Sequence, residues 1–403
     1  MLKRWTRHLG ALWIGALLLA LPVEANAQDE LPCDSLTHPV YMMVGSTVLP
    51  LIRTLGRALR DTTDPVTLVF IDGRSCAMID AISSGTKLTT NLTYVPSSAE
   101  DPAWTPELPP RTCTVDAAGV DLDMIHSDVY VESCTATPPP DGVAAFAGPI
   151  LPFVFVVPEA SSQVAITAEE AYFVWGFGAA GQIAPWTHES FLFTRPNTSG
   201  TKITFGANFG VPASRWKGVQ LEKTSDVINA VASSVNVEAT LAIVGGANFD
   251  SNRDKLNALA FKAFGQNLAF YPDSTPTTFD KQNVRDGHYG LWGPAIFVAR
   301  VGQDGRPANA GAALLLNLLQ SRPVTPDPGF DATATIVDLG FIPDCAMRVS
   351  RASQGGEFSP YTPAAPCHCF FEERVGASSG TCTACTDDAA CGGGSCNLGF
   401  CED

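Results

Sequence analysis

From residue 40 onward, short apolar runs that read as buried strands alternate with runs of helical period, and this alternation narrows the possible folds more than any other feature. "VYMMVG" (40–45) precedes "STVLPLIRTLGRALRD" (46–61), where Val48, Leu51, Ile52, Leu55 and Leu59 recur at helical spacing. Pro50 falls in the first turn of that helix, where a missing N–H does no harm. "VTLVFID" (66–72), "GPILPFVFVVP" (148–158), "SFLFT" (190–194), "TLAIVGG" (240–246), "NLAFYP" (267–272) and "GPAIFVAR" (293–300) read as further strands. Helices are expected at "SCAMIDAISSG" (75–85), capped by Ser75 and stopped by Gly85, and at "TAEEAYFVWGFG" (167–178), opened by a Thr167/Glu170 capping box. "SGTKITFGANFG" (199–210), "SDVINAVASS" (225–234) and "NAGAALLLNLLQ" (309–320) complete the set. Such alternation predicts an α/β fold of mainly parallel sheets flanked by helices. No repeat of 20–50 residues occurs, which removes solenoids and propellers.

A chain of 403 residues is long for one domain and fits two lobes with a small appendage. It is 45% apolar and 16% charged, enough for a sizeable core. Its formal net charge of −16 argues against nucleic acid and anionic membranes as partners. Any anion site must therefore be local. At the N-terminus, Lys3, Arg4 and Arg7 precede the apolar run Leu9–Leu21 and the small-x-small signal Ala25–Ala27, which predicts a secretory signal peptide over 1–27. The expected location is periplasmic or secreted.

Export agrees with the cysteines. Cys33, Cys76, Cys113 and Cys134 are spread over the first third and none falls between 135 and 344. Cys345, Cys367, Cys369, Cys382, Cys385, Cys391, Cys396 and Cys401 crowd into the tail. An even count of twelve in an exported chain predicts disulfides. Zinc held by the Cys-x-Cys and Cys-x-x-Cys pairs with His368 is the competing reading of the tail. Pro-rich stretches at 101–113, 135–142 and 322–329 punctuate the chain as loops and a linker.

Three strand-to-helix junctions share one chemistry: Gly45-Ser46-Thr47, Gly73-Arg74-Ser75 and Ser199-Gly200-Thr201, the last just after Arg195. A helix start leaves free N–H groups and about half a positive charge, which suits a small tetrahedral anion. Each junction alone is more often an ordinary cap than a site; three in one alternating chain point beyond capping. Competing chemistry is thin. His38, His126, His188, His288 and His368 are scattered, with no HExxH, no G-x-S-x-G elbow and no Walker lysine. No cofactor or metal is expected.

"RPNTSGT" (195–201) resembles the Arg-x-(Asp/Asn)-x-Ser-Gly-Thr motif of the phosphate-binding proteins of phosphate ABC transporters, a branch of the type II periplasmic substrate-binding proteins. "VGSTVLPLI", "DGRSCAMIDAISSGT", "IHSDVYV", "GPILPFVFVVP" and "RDGHYGLWGPAIFVAR" follow in that family's order, over about residues 38–322. The resemblance implies lobe 1 over 28–147 and 291–323, lobe 2 over 148–290 with its crossover strand, and a linker and Cys-rich module over 324–403. It also implies a ligand cradle. Ser46, Thr47, the Val48 amide and Ser75 would donate from one lobe, Ser199, Gly200 and Thr201 from the other, and Arg195 would pair with the ligand bidentately. Asp128 would accept the proton that phosphate still carries near neutral pH, which fully ionised sulfate lacks. By residue type alone Asp128 is more often a solvated loop acid or a helix cap, and the family order reverses that preference. Arg74 stands where the family has a small residue, and Pro196 follows the arginine directly.

The implied function is a monomeric binding protein closing on phosphate or a related oxyanion, with a hinge near 148–158 and 285–300; a membrane ABC permease is compatible as partner. Two alternatives stand beside it: a secreted phosphomonoesterase on a related scaffold, and a surface interaction protein acting through the Cys-rich tail.

Overall fold

The computed structural model describes residues 31–377 and 380–402, which form one compact unit. The expected signal peptide lies outside the described residues. In lobe 1, β1 (Pro39–Val44) leads into α1 (Leu49–Arg60), then β2 (Thr67–Asp72) into α2 (Ser75–Ser84). Short strands β3 (Leu92–Tyr94) and β4 (Arg111–Cys113) follow, then β5 (Met124–Ser127). The long β6 (Val143–Pro158) leaves for lobe 2, built from β7 (Ala165–Thr167), α3 (Ala168–Phe177), β8 (Leu192–Thr194), α4 (Gly200–Phe209), β9 (Val219–Gln220) and α5 (Thr224–Ala232). Its remaining elements are β10 (Leu241–Gly245), α6 (Gly246–Asp250), β11 (Leu256–Ala258), β12 (Ala260–Lys262) and α7 (Gln282–Arg285). β13 (Trp292–Arg300) returns to lobe 1 and is followed by α8 (Ala310–Leu319).

Both lobes share one large sheet of order β4-β3-β2-β1-β5-β13-β6-β10-β8-β9, with β11 also on β6. The heart of each lobe is parallel: β1 with β2 and β5, and β8 with β10 and β9. The crossover is antiparallel. Val143–Pro152 of β6 pair with β13, and Phe153–Val156 pair with β10, so one strand passes from the first lobe's sheet to the second's. Its residues from Gly148 to Pro158 are buried without alternation, as expected of a strand covered on both faces. Local signals explain most boundaries. Thr167 Oγ1 accepts from Glu170 N at 3.0 Å and Glu170 Oε2 accepts from Thr167 N at 2.8 Å, the expected capping box. Gly85 ends α2 in the left-handed region at φ 70°.

Two expectations are corrected. "NLAFYP" is not a strand: only Phe270 bridges, to Phe261 of the segment Ala260–Lys262, and Leu268 lies exposed in the bend before it. Ser75 does not cap α2. It is the first helical residue, and its hydroxyl is engaged by Asp128 instead.

All twelve cysteines are paired: Cys33–Cys113, Cys76–Cys134, Cys345–Cys367, Cys369–Cys382, Cys385–Cys396 and Cys391–Cys401. The zinc reading of the tail therefore fails, since its thiolates are consumed. The tail also joins the main body. α9 (Ala332–Asp338) packs on α1 and α8, and Ile342 exchanges backbone hydrogen bonds with Ile150 of β6 at 2.7 and 3.2 Å. Two-residue strands β14 (Val349–Ser350) and β15 (Ser359–Pro360) pair, and α10 (His368–Arg374) buries Phe370 and Phe371 in the main core. Beyond it, β16 (Ser395–Asn397) and β17 (Phe400–Glu402) close a small ladder. The Glu402 carboxylate accepts from Cys369 N and Phe370 N, satisfying free amides at the start of α10.

Candidate anion cradle between the lobes

The three junctions converge where the lobes meet. Val44 and Asp72 end β1 and β2, and the helices that follow turn their first residues toward Asp128, just past β5. Thr47 Oγ1 donates to Asp128 Oδ2 at 2.9 Å, and Asp128 N donates to Ser75 Oγ at 3.1 Å. From the second lobe, Thr201 Oγ1 donates to the same Oδ2 at 3.3 Å. Arg195, which follows β8, bonds the hydroxyl of Thr224 at the start of α5, and that hydroxyl also meets Ser46 Oγ at 3.0 Å. Thr47, Ser75, Asp128, Arg195, Ser199, Gly200 and Thr201 are all buried, while Ser46 is half-buried.

Gly200 shows why the motif needs a glycine. A Cβ there would lie 2.4 Å from Ser75 Oγ and 2.5 Å from Asp128 Cβ, so the start of α4 can approach the opposite lobe only without a side chain. Ser199 is the N-cap of α4 but its hydroxyl makes no capping bond. Val48 contributes differently from the expectation. Its amide donates to Gly45 O at 3.3 Å, closing the turn before α1. Arg74 pairs with Glu222 of the other lobe at the exposed rim.

The electrostatics are those of a site that keeps a charge under tension. Burial pushes the Asp128 carboxyl up to about 6, against the opposing pull of the Thr47 hydroxyl and Arg195. Burial also lowers Arg195, with Asp128 acting in the opposite sense. Asp128 Oδ1 and Arg195 Nε are buried without a hydrogen-bond partner. Such groups are costly unless something satisfies them, and the His126 Nε2 next to Asp128 Oδ1 is unpartnered as well. Among the described residues, one trio of metal-type ligands clusters, Cys385, Cys391 and Cys401, and all three sulfurs are spent in disulfides.

Three contributors escaped the sequence reading. Thr224 ties Arg195 to Ser46, but in sequence it only opens an unremarkable helix. His126, two residues before Asp128, is fully buried with Nε2 3.6 Å from Asp128 Oδ1. The third is a tail segment bridging the lobes. Tyr130 Oη donates to Arg351 O at 2.7 Å, and Gln354 Nε2 donates to Thr204 Oγ1 of α4 at 3.0 Å. Between them the Arg351 guanidinium donates to Trp292 O at 2.8 Å and Gly290 O at 3.0 Å, lying over the Trp292 and Phe358 rings.

No family model matches the chain, and no curated protein matches its sequence. Solved structures do match its fold. A Clostridium perfringens protein described as a phosphate ABC transporter substrate-binding protein with bound phosphate superposes with a TM-score of 0.51 at 11% identity, covering 76% of this chain and 99% of its own. An ABC-type phosphate transport receptor from Vibrio cholerae gives a TM-score of 0.45 at 14% identity, covering 75% and 99%. At these identities the likeness is one of fold, and the first match carries it: the chain has the two-lobed architecture of the type II periplasmic substrate-binding proteins, extended by a disulfide-rich C-terminal region.

Proposed function

We propose that the protein is an extracytoplasmic solute-binding protein whose lobes close on inorganic phosphate or a similar small oxyanion, for ABC-type uptake or for sensing. One observation carries this reading. Hydroxyls from both lobes meet at a buried carboxylate, with a buried guanidinium on the adjoining strand end. A guanidinium supplies paired donors for an oxyanion, Ser46, Ser75, Ser199 and Thr201 offer hydroxyls, and Asp128 accepts a proton from the ligand. That last contact favours protonated phosphate over sulfate, which could bring only repulsion. The tight approach at Gly200 supports a small ligand over a sugar or nucleotide. The phosphate named for the Clostridium perfringens protein agrees with this choice. The hinge would lie where β6 passes between the sheets and where residues 290–293 return.

Calorimetry with inorganic phosphate tests the proposal. Binding at micromolar concentration is expected, with a loss of about a hundredfold or more in Arg195→Ala, equivalent to about 3 kcal/mol. Equal binding by wild type and Arg195→Ala would sink it. No turnover of a chromogenic phosphate ester is expected; release of the chromogen would favour the phosphomonoesterase alternative.

A further inference from the structure

We propose that His126 is a positioning residue of the cradle: its Nε2–H faces Asp128 Oδ1 and reserves that oxygen, leaving Oδ2 to accept the proton of a bound oxyanion. The ligand half of this statement rests on the function proposed above; the His126–Asp128 half does not.

The ring's tautomer follows from its surroundings. His126 Nδ1 accepts from Gly45 N at 3.3 Å. A neutral imidazole that accepts at Nδ1 carries its proton on Nε2. Gly45 makes the contact possible, since a Cβ there would stand 3.0 Å from Nδ1. The ring is fully buried and packs on Phe297, with centroids 5.4 Å apart, and burial holds it down to about 3, so it stays neutral at ordinary pH. Its Nε2 has no hydrogen-bond partner, nor has Asp128 Oδ1, and the two lie 3.6 Å apart. A shift of a few tenths of an ångström completes the bond.

The remaining neighbours divide the carboxylate. Thr47 and Thr201 donate to Oδ2, Ser75 takes the backbone amide, and Arg195 attracts the ionised form across the cleft. Farther out, Arg74, Glu222 and Asp226 act on Arg195. The Thr201 bond is the longer one at 3.3 Å, and it is the bond a protonated ligand oxygen would replace. With His126 on Oδ1, the ionised acceptor form of Asp128 persists to lower pH than burial alone would allow. Once Asp128 is protonated it becomes a donor, and a fully ionised anion such as sulfate becomes acceptable. The site would then lose selectivity as pH falls through about 6.

Two labels on the full chain test this. Nitrogen-15 in histidine reports the tautomer without any substitution, and neutral His126 with its proton on Nε2 is expected down to about pH 4; a proton on Nδ1 overturns the proposal. Carbon-13 at the aspartate carboxyls follows Asp128 in ligand-free protein, identified by its loss in Asp128→Asn. Its midpoint should rise by about one pH unit in His126→Phe and hold in His126→Gln, which keeps an N–H donor. An unchanged midpoint in His126→Phe also overturns it. Competition binding then completes the test. Sulfate should gain about tenfold on phosphate between pH 8 and 5 in wild type, and already at pH 7 in His126→Phe. If neither anion binds while the Asp128 midpoint still moves, the phosphate reading falls and His126's hold on Asp128 stands.

Discussion

Two sets of contacts bind lobe 1 to lobe 2, and they are made of opposite materials. The cradle crosses between the lobes by single hydrogen bonds of small groups, Thr201 to Asp128 and Thr224 to Ser46, with Gly200 in close approach. The tail strap reaches Tyr130 on one side and Thr204 on the other. Its centre is a cation, Arg351, over the Trp292 and Phe358 rings, with both terminal guanidinium nitrogens bonded to carbonyls and Arg351 Nε left unpartnered. One set is hydroxyl and carboxylate; the other is a cation packed on aromatic rings. Such a division allows one set of inter-lobe contacts to be weak while stability is supplied by the other.

Breaking the strap should cost the most. Arg351→Ala removes two bonds to buried carbonyls and the stacked cation, and a loss of about 3 kcal/mol is expected in chemical denaturation. If the strap were merely a covering, the loss would stay under about 0.5 kcal/mol. Gly200→Ala should do the reverse. Its Cβ collides across the cleft, so phosphate affinity is expected to fall about thirtyfold by calorimetry, roughly 2 kcal/mol, with little change in melting.

Asp128→Asn sharpens the contrast, because a residue held for binding should tax the fold. The carboxyl's folded midpoint of about 6 lies above its unfolded value, so its contribution to stability is full below the unfolded value and is lost as pH rises through 6. The Asn variant should therefore equal wild type near pH 4 and exceed it by roughly 2 kcal/mol at pH 8 in melts across pH. His126 has the opposite sign: with its folded value pushed down to about 3, the stability it contributes fades as pH falls below its ordinary range. The smallest effect is expected at the rim. Arg74→Ala breaks an exposed pair with Glu222 and should change stability by less than about 0.5 kcal/mol.

What the sequence disclosed follows the range of the interactions. The helical period of α1, the Thr167/Glu170 box and the glycine stops are local, and they were legible. The Arg195 to Thr201 motif was legible because its residues are contiguous and Gly200 has a steric reason to be there. β5 was not read as a strand, since four residues ending in a buried His126-Ser127 pair show neither alternation nor an apolar run. The strap was invisible for a different reason. Its residues sit in the polar stretch 348–358, and their partners, Tyr130 and Thr204, lie 221 and 150 residues away.

The disulfides are placed with the same partition. Two staple lobe 1, four staple the tail, and lobe 2 contains no cysteine at all. With every native cysteine paired, a single cysteine introduced on the exposed face of lobe 2 would be the only thiol in the oxidised chain. A fluorophore or spin label placed there needs no background substitutions, so the approach of the lobes could be followed in otherwise unaltered protein.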